Sequence, residues 1–541
     1  MNKNIKRALS LLLIAMMLLP TLAGCGGSTS EPGGTSIKEE DIVDITKVDQ
    51  DTKVDETKTY KKELTVSQGN PVVNFNPQFK MDNAHDTAFK MVYNQLVEYD
   101  YATGELAPEL AESWVVTDSQ HYTFTLRKGI KFSNGEELTA DDVIFTFTEL
   151  PVLCEGTSGA AVWNEIESIT ANGDYEVSFV LTAPDADFLY RMYLQPYSIM
   201  NREACEKDLE SGLRVGTNGW IVQDFVSSDR IVFTRFDESW VWEESGVSPT
   251  EKVTMTYMAE GSARTIALQT GEVAATTLDS TTYESVANDP NVQTLVYDSE
   301  TLMYVLCNMN QHLENPSILS QDKNLRYAIA YALNYDDLNT YHMDGKASRA
   351  YSYWGKNQYG LFEDFDEKVD FDLEKAKEYM AKSTVPGGCT LKLATGPARE
   401  GLATLVQSQL KQIGIDIVID VGDTATMTAH VKAGDFDLMF YNITLQTIGD
   451  RCHFVSNYSS STNRAKYENE EMAAKFDQAL AETDDAKRRE LYKEIQIMMN
   501  DDKPYIPFYY EISMVGWHTG VSGVQWTPDN KPDYSHIMWA E

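Results

Sequence analysis

The sequence predicts an α/β protein of more than one domain, and three observations predict it. The chain has 541 residues, more than a single core can organise. Between Cys389 and Tyr441, strand and helix patterns alternate twice. Between Ala111 and Phe147, an alternating strand pattern leads into a capped helix.

The elements follow in order. ELTVSQ (Glu63–Gln68) reads as the first strand, and Ala88, Val92 and Leu96 give Asp86–Tyr99 a helical period. Tyr122, Phe124 and Leu126 alternate with polar neighbours, so that strand has one apolar face. Lys128-Gly129 and Asn134-Gly135 turn the chain. Thr139 stands at an N-cap position, with Asp141 and Asp142 at the positive end of the following helix dipole. Further strands are expected at Glu176–Leu181, Lys252–Met258 and Leu302–Met309. Helices are expected at Ala186–Tyr193, Ala263–Thr270, Leu325–Leu333 and Asp372–Met380. In Cys389–Tyr441, two successive strand–helix–strand units imply parallel strands with right-handed crossovers, and Gly414 closes the first helix. The Ala486–Met499 helix turns Leu491, Ile495 and Met498 inward and leaves Lys487, Arg488 and Glu490 to solvent.

A net charge of −38 excludes a nucleic-acid partner, which needs a basic surface. The N-terminus has the layout of a targeting segment. Lys3, Lys6 and Arg7 precede the apolar run Leu11–Leu19, which is too short to span a membrane comfortably. Leu22-Ala23-Gly24-Cys25 then resembles a bacterial lipobox, which makes Cys25 a lipidated first residue and residues 1–24 a signal peptide. Residues 25–62 are rich in Gly, Ser, Lys, Asp, Glu and Thr, and read as a flexible tether. Cys154, Cys205, Cys307, Cys389 and Cys452 remain. A Cys154–Cys205 bridge is compatible with an oxidising compartment, but spacing selects no pairing.

AESW (Ala111–Trp114), Asp118, YTFTLR (Tyr122–Arg127), Gly129, Lys131-Phe132 and G-E-x-L-T-A-D-D-V-x-F (Gly135–Phe145) together resemble the signature of the extracellular solute-binding proteins of the oligopeptide, dipeptide and nickel class. YNQL (Tyr93–Leu96), VGTNGW (Val215–Trp220), ALQTGE (Ala267–Glu272) and LRYAIAYAL (Leu325–Leu333) extend the resemblance over most of the chain, with Asn218 and Trp220 where the family has glycine and tyrosine. The resemblance implies a two-lobed periplasmic-binding-protein-like α/β fold of the class II type. Lobe I would comprise residues 63–81, 200–300 and 509–541, with an extra subdomain at 82–199. Lobe II would comprise 301–508, with the ligand cleft between the lobes. It further implies a monomeric receptor, lipid-anchored at the outer face of the membrane or periplasmic, that closes on a ligand and delivers it to the permease of an ABC importer. The ligand expected is an oligopeptide or dipeptide. An oligosaccharide or a metal complex is the alternative, as is a sensory rather than a transport partner.

No phosphate-binding loop, zincin, dinucleotide or nucleophile-elbow motif occurs, so no enzyme activity, cofactor or metal is expected. Ligands of open parallel sheets sit beyond the carboxyl ends of the strands. That rule points to Tyr441 and Asn442. Aromatic residues suited to a cleft add Trp220, Tyr353 and Trp354, and YNQL adds Asn94. Relatives carry an amine-binding aspartate after the strand that ends at Tyr441, and Asp450 is the nearest carboxylate to that position.

Overall fold

The computed structural model describes residues 42–48, 50, 53–78, 83–154, 165–356, 358–444 and 463–541. Cys25, Asp450, Cys452 and His453 lie outside them. Among the described residues no helix is long and apolar enough to cross a membrane.

Three large apolar cores organise the chain. The first backs a four-stranded sheet of β2 (Glu63–Gln68), β9 (Trp220–Val226), β10 (Arg230–Arg235) and β11 (Lys252–Tyr257), in the order β2-β11-β10-β9. The second lies under β5 (Ala111–Asp118), β6 (His121–Leu126), β7 (Ile166–Ala171) and β8 (Glu176–Leu181), in the order β5-β6-β8-β7. Beside it stands the hairpin of β3 (Val97–Asp100) and β4 (Glu105–Pro108). Tyr122, Phe124 and Leu126 are buried, as their alternation predicts.

The third core fills one half of an eight-stranded sheet. Its path is β12 (Ala275–Leu278), β18 (Tyr505–His518), β13 (Val292–Cys307), β17 (Leu438–Thr444), β15 (Cys389–Thr395) and β16 (Ile415–Val421). Two short strands complete it, β1 (Ile42–Val43) on β13 and β14 (Ser348–Arg349) on β18. β19 (Val521–Ser522) pairs with β20 (Met538–Trp539) near the C-terminus. β15 is parallel to both β16 and β17, as the two crossover units require. β13 and β18 are single long strands that contribute residues to both the first and the third core.

The principal helices are α1 (Asn83–Lys90), α2 (Ala140–Thr148), α3 (Gly261–Gln269), α4 (Ser280–Val286), α5 (Lys323–Ala332), α6 (Tyr335–Met343), α7 (Leu373–Lys382), α8 (Glu400–Lys411), α9 (Thr424–Ala433), α10 (Glu470–Ala481) and α11 (Asp485–Asp502). At the start of α2, Asp142 Oδ2 accepts from Thr139 N at 3.0 Å, and its Oδ1 accepts from Arg202 N at 3.0 Å. One carboxylate thus caps the helix and ties it to the next segment.

Five expectations are corrected. The helix over Asp86–Tyr99 stops at Lys90, because Asn218 Nδ2 donates to Lys90 O at 2.7 Å and takes its terminal carbonyl. This also accounts for asparagine at 218. The neighbouring Gly216 and Gly219 admit no side chain, since a Cβ there would strike the Val92 carbonyl and the Trp242 ring respectively. The Ala186–Tyr193 helix shrinks to Phe188–Arg191. The tether is not wholly free: β1 pairs with Val296 and Tyr297, Ile45 is buried in the first core, and the Gln50 amide bonds Trp526 N and O. Arg488 is buried on α11 against Asp187 instead of facing solvent. Cys154, Cys205, Cys307 and Cys389 are free thiols, so no Cys154–Cys205 bridge exists.

Candidate ligand-binding cleft

The two long strands are irregular where they pass from one core to the other. Asp298 pairs with Ile512 and Leu302 with Tyr510, so Ser299, Glu300 and Thr301 bulge opposite the single residue Glu511. Bulges of this kind re-aim side chains and bend a strand. Glu300 N donates to Pro528 O at 2.8 Å, and Thr301 Oγ1 lies 3.0 Å from Thr444 Oγ1, so the bulge is held from both sides.

Glu511 lies beside β17 and the segment that leads into α8. Asn442 of β17 hydrogen-bonds its carboxylate, and the Arg399 guanidinium, just ahead of α8, lies close enough to favour its charged form. Burial outweighs both and pushes the Glu511 carboxyl up to about 7. His342 of α6 shares hydrogen with the Tyr509 hydroxyl at 2.8 Å, and burial beside Arg399 pulls its imidazole down to about 4. His342 is therefore neutral at physiological pH, and Arg399 is the cation of this group. Arg399 follows Thr395 and Gly396 at the carboxyl end of β15, so the cluster occupies the crevice that an open parallel sheet offers a ligand.

The lobes meet over this floor. Val296, Ile512 and Met514 of the crossing strands pack with Leu278 and Tyr283 from one side and Met343 from the other. Further out, Asp187 pairs with Arg488 and accepts from the Tyr492 hydroxyl at 3.1 Å. Ala186 N donates to Leu480 O at 2.7 Å, and Lys356 pairs with Asp298 at 2.5 Å. These contacts tie residues 186, 187 and 298 to residues 356, 480, 488 and 492.

The residues chosen from sequence separate into groups. Tyr353 stacks on Tyr505 with 4.3 Å between centroids and meets Tyr304 edge-on. Tyr441, half-buried, lies 6.0 Å from Tyr304 with the Arg464 guanidinium over its ring. Trp354 is fully buried and stacked on Phe476. Trp220 is fully buried in the first core, its Nε1 donating to Ser535 O at 2.8 Å, so it packs the lobe and does not line the cleft. Asn94 is also buried. It donates to Glu109 Oε1 at 2.7 Å and accepts from Thr217 Oγ1 at 2.9 Å, which commits its amide to the protein. Glu109 in turn faces a separate cavity of about 500 Å³ walled by Tyr99, Tyr101, Trp526 and the carboxylates Glu98 and Asp533; no described residue between 302 and 510 lines it. Of the chosen residues that are described, only Asn442 reaches the Glu511 cluster. Sequence reasoning missed Glu511, Arg399 and His342. The signal for Glu511 was present as one carboxylate inside an otherwise apolar strand, PYIPFYYEISMV.

The family model for the bacterial extracellular solute-binding proteins, family 5 (middle region), matches residues 105–466. The chain belongs to this family. Over 557 aligned residues it is 25% identical to the oligopeptide-binding protein AppA of Bacillus subtilis, covering 97% of both chains. It is 24% identical to the heme-binding protein A of Haemophilus influenzae over 82% of this chain and 86% of that one. The solved structure of DppA from Helicobacter pylori in complex with the peptide STSA superposes with a TM-score of 0.76 at 22% identity, covering 90% of this chain and 99% of that chain. The two-lobed fold of this family is therefore the fold of this chain, and binding rather than catalysis is the business of the family. Among the described residues no group of three or more His, Cys, Asp or Glu is arranged to hold a metal ion.

Proposed function

We propose that this solute-binding protein is the peptide-capturing receptor of an ABC importer. The observation that carries the reading is the polar floor of Glu511, Asn442 and Arg399 beside the bulge between the two long strands. A ligand held there touches both lobes only when they are closed, so its binding energy favours closure. The match to the oligopeptide-binding AppA, nearly end to end in both chains, supports a peptide over heme. The closed receptor docks on its permease and releases the peptide there. Cys25 carries the lipid that keeps it, as a monomer, at the outer face of the membrane.

Titration calorimetry of the mature protein with defined peptides tests the reading, together with small-angle scattering for compaction. Saturable binding with a smaller radius of gyration is expected, and incubation should leave the peptides unhydrolysed. Absence of binding to any peptide, or their cleavage, would overturn it. Labelling with a radioactive fatty acid, lost in Cys25→Ser, tests the anchor.

A further inference from the structure

Beside the bulge lie two polar atoms with unmet bonding capacity. Glu511 Oε1 and Arg399 Nε are both sealed from solvent, and neither has a hydrogen-bond partner among the described residues. Buried orphans of this kind are rare in folded proteins and mark a place where something else bonds. The two residues are neighbours, since the Arg399 guanidinium acts on the Glu511 carboxyl, and Ser299–Thr301 bulge opposite Glu511. The other groups facing Glu511 are accounted for. Asn442 donates to the carboxylate, the Tyr509 hydroxyl is engaged with His342, and His342 is neutral. On the strand opposite, Asp298 is paired with Lys356, and Glu300 lies near Tyr99 and Tyr101.

Resting on the receptor reading above, we propose that Glu511 of β18 receives a primary ammonium group of the ligand, while Arg399 Nε donates to a ligand carbonyl or carboxylate oxygen. An amino terminus or a lysine side chain would serve equally. An ammonium group is the complement of a carboxylate that already has one amide donor and needs another. It also removes the cost of sealing the charged form, because an opposite charge within contact distance favours the carboxylate. With the free carboxyl at about 7, binding near pH 7 then expels about half a proton per ligand.

The experiment is calorimetry in two buffers of different ionisation enthalpy, using Ser-Thr-Ser-Ala, its N-acetyl form, and N-acetyl Ser-Lys-Ser-Ala. Expected are proton release with the free peptide and affinity lower by about tenfold or more for the N-acetyl form. The lysine peptide recovers the affinity if either amine serves, and does not if only the amino terminus does. Glu511→Gln should lose the same affinity for the free peptide, and the proton release with it. Equal affinity of free and acetylated peptides, or an unchanged Glu511→Gln, would overturn the proposal. Should no peptide bind, cadaverine separates the two ideas. Thermal stabilisation of the parent but not of Glu511→Gln would retain the ammonium site and discard the peptide reading. No stabilisation of either would discard both.

Discussion

At the scale of single residues, burial sets two titrations of opposite sign. Glu511 in the ligand-free fold has its carboxyl raised to about 7 from an ordinary value of 4.5. Between those values the folded chain keeps a proton that the unfolded chain gives up, so stability falls as pH rises through this window. Glu511→Gln removes the penalty. It should be more stable than the parent at pH 8 by up to about 3 kcal/mol and nearly equal to it at pH 4, as chemical denaturation at the two pH values would read. Lys503 behaves in reverse. It is buried at the end of α11, and desolvation lowers its ammonium to about 7 from 10.5. Its penalty grows as pH falls from the upper value through the lower, so Lys503→Met should gain on the parent as the pH is lowered, with the gain levelling off below about pH 6 in the same titration.

At the scale of elements, caps and edges decide where segments stop and dock. Asp142 serves two backbone donors, Thr139 N and Arg202 N, so Asp142→Ala leaves both unmet. A loss of about 2 kcal/mol is expected, seen as a lower melting temperature with the fold retained in circular dichroism. β1 docks where it does because β17 pairs with β13 only over Thr301–Cys307, which leaves the edge at Val296 and Tyr297 open. Ile45 follows it into the first core. Ile45→Ala should cost about 2 kcal/mol in urea unfolding, whereas a wholly free tether would register nothing. The early stop of α1 at Lys90 has the same logic, because a side-chain amide from a remote loop takes the carbonyl that another helical turn would have used.

At the scale of the whole molecule, closure has a lock away from the ligand floor. The Asp187 and Arg488 side chains are both nearly sealed from solvent, and the pair joins segments on opposite sides of the cleft. Removing one partner strands a buried charge, at about 3 kcal/mol, but only in the closed form. Arg488→Met alone should therefore weaken peptide binding by up to about a hundredfold and shift apo scattering towards a more open shape. The double change Asp187→Leu with Arg488→Met should restore much of both. A single variant that binds as tightly as the parent would remove the lock from the mechanism.

Much of this architecture was legible in the residues because its causes are local. Alternation buried Tyr122, Phe124 and Leu126. The residues around Thr139 and Asp142 started α2 where a cap was due, and two crossover units set β15 parallel to β16 and β17. The binding residues were less legible. Trp220 and Trp354 have the chemistry of a cleft lining, yet a large aromatic residue is equally suited to a core, and nothing near them in sequence distinguishes the two uses. Arg488 reads as a surface residue until Asp187, far away in the chain, supplies the opposite charge.

The sequence by itself determined the class of fold, the family and the order of elements, since period, caps and turns act over a few residues. Only the tertiary structure decided which polar side chains are sealed. Sealing depends on segments far apart in the chain meeting, and the Glu511 carboxyl, its Oε1 hidden from solvent, is pushed up by that burial.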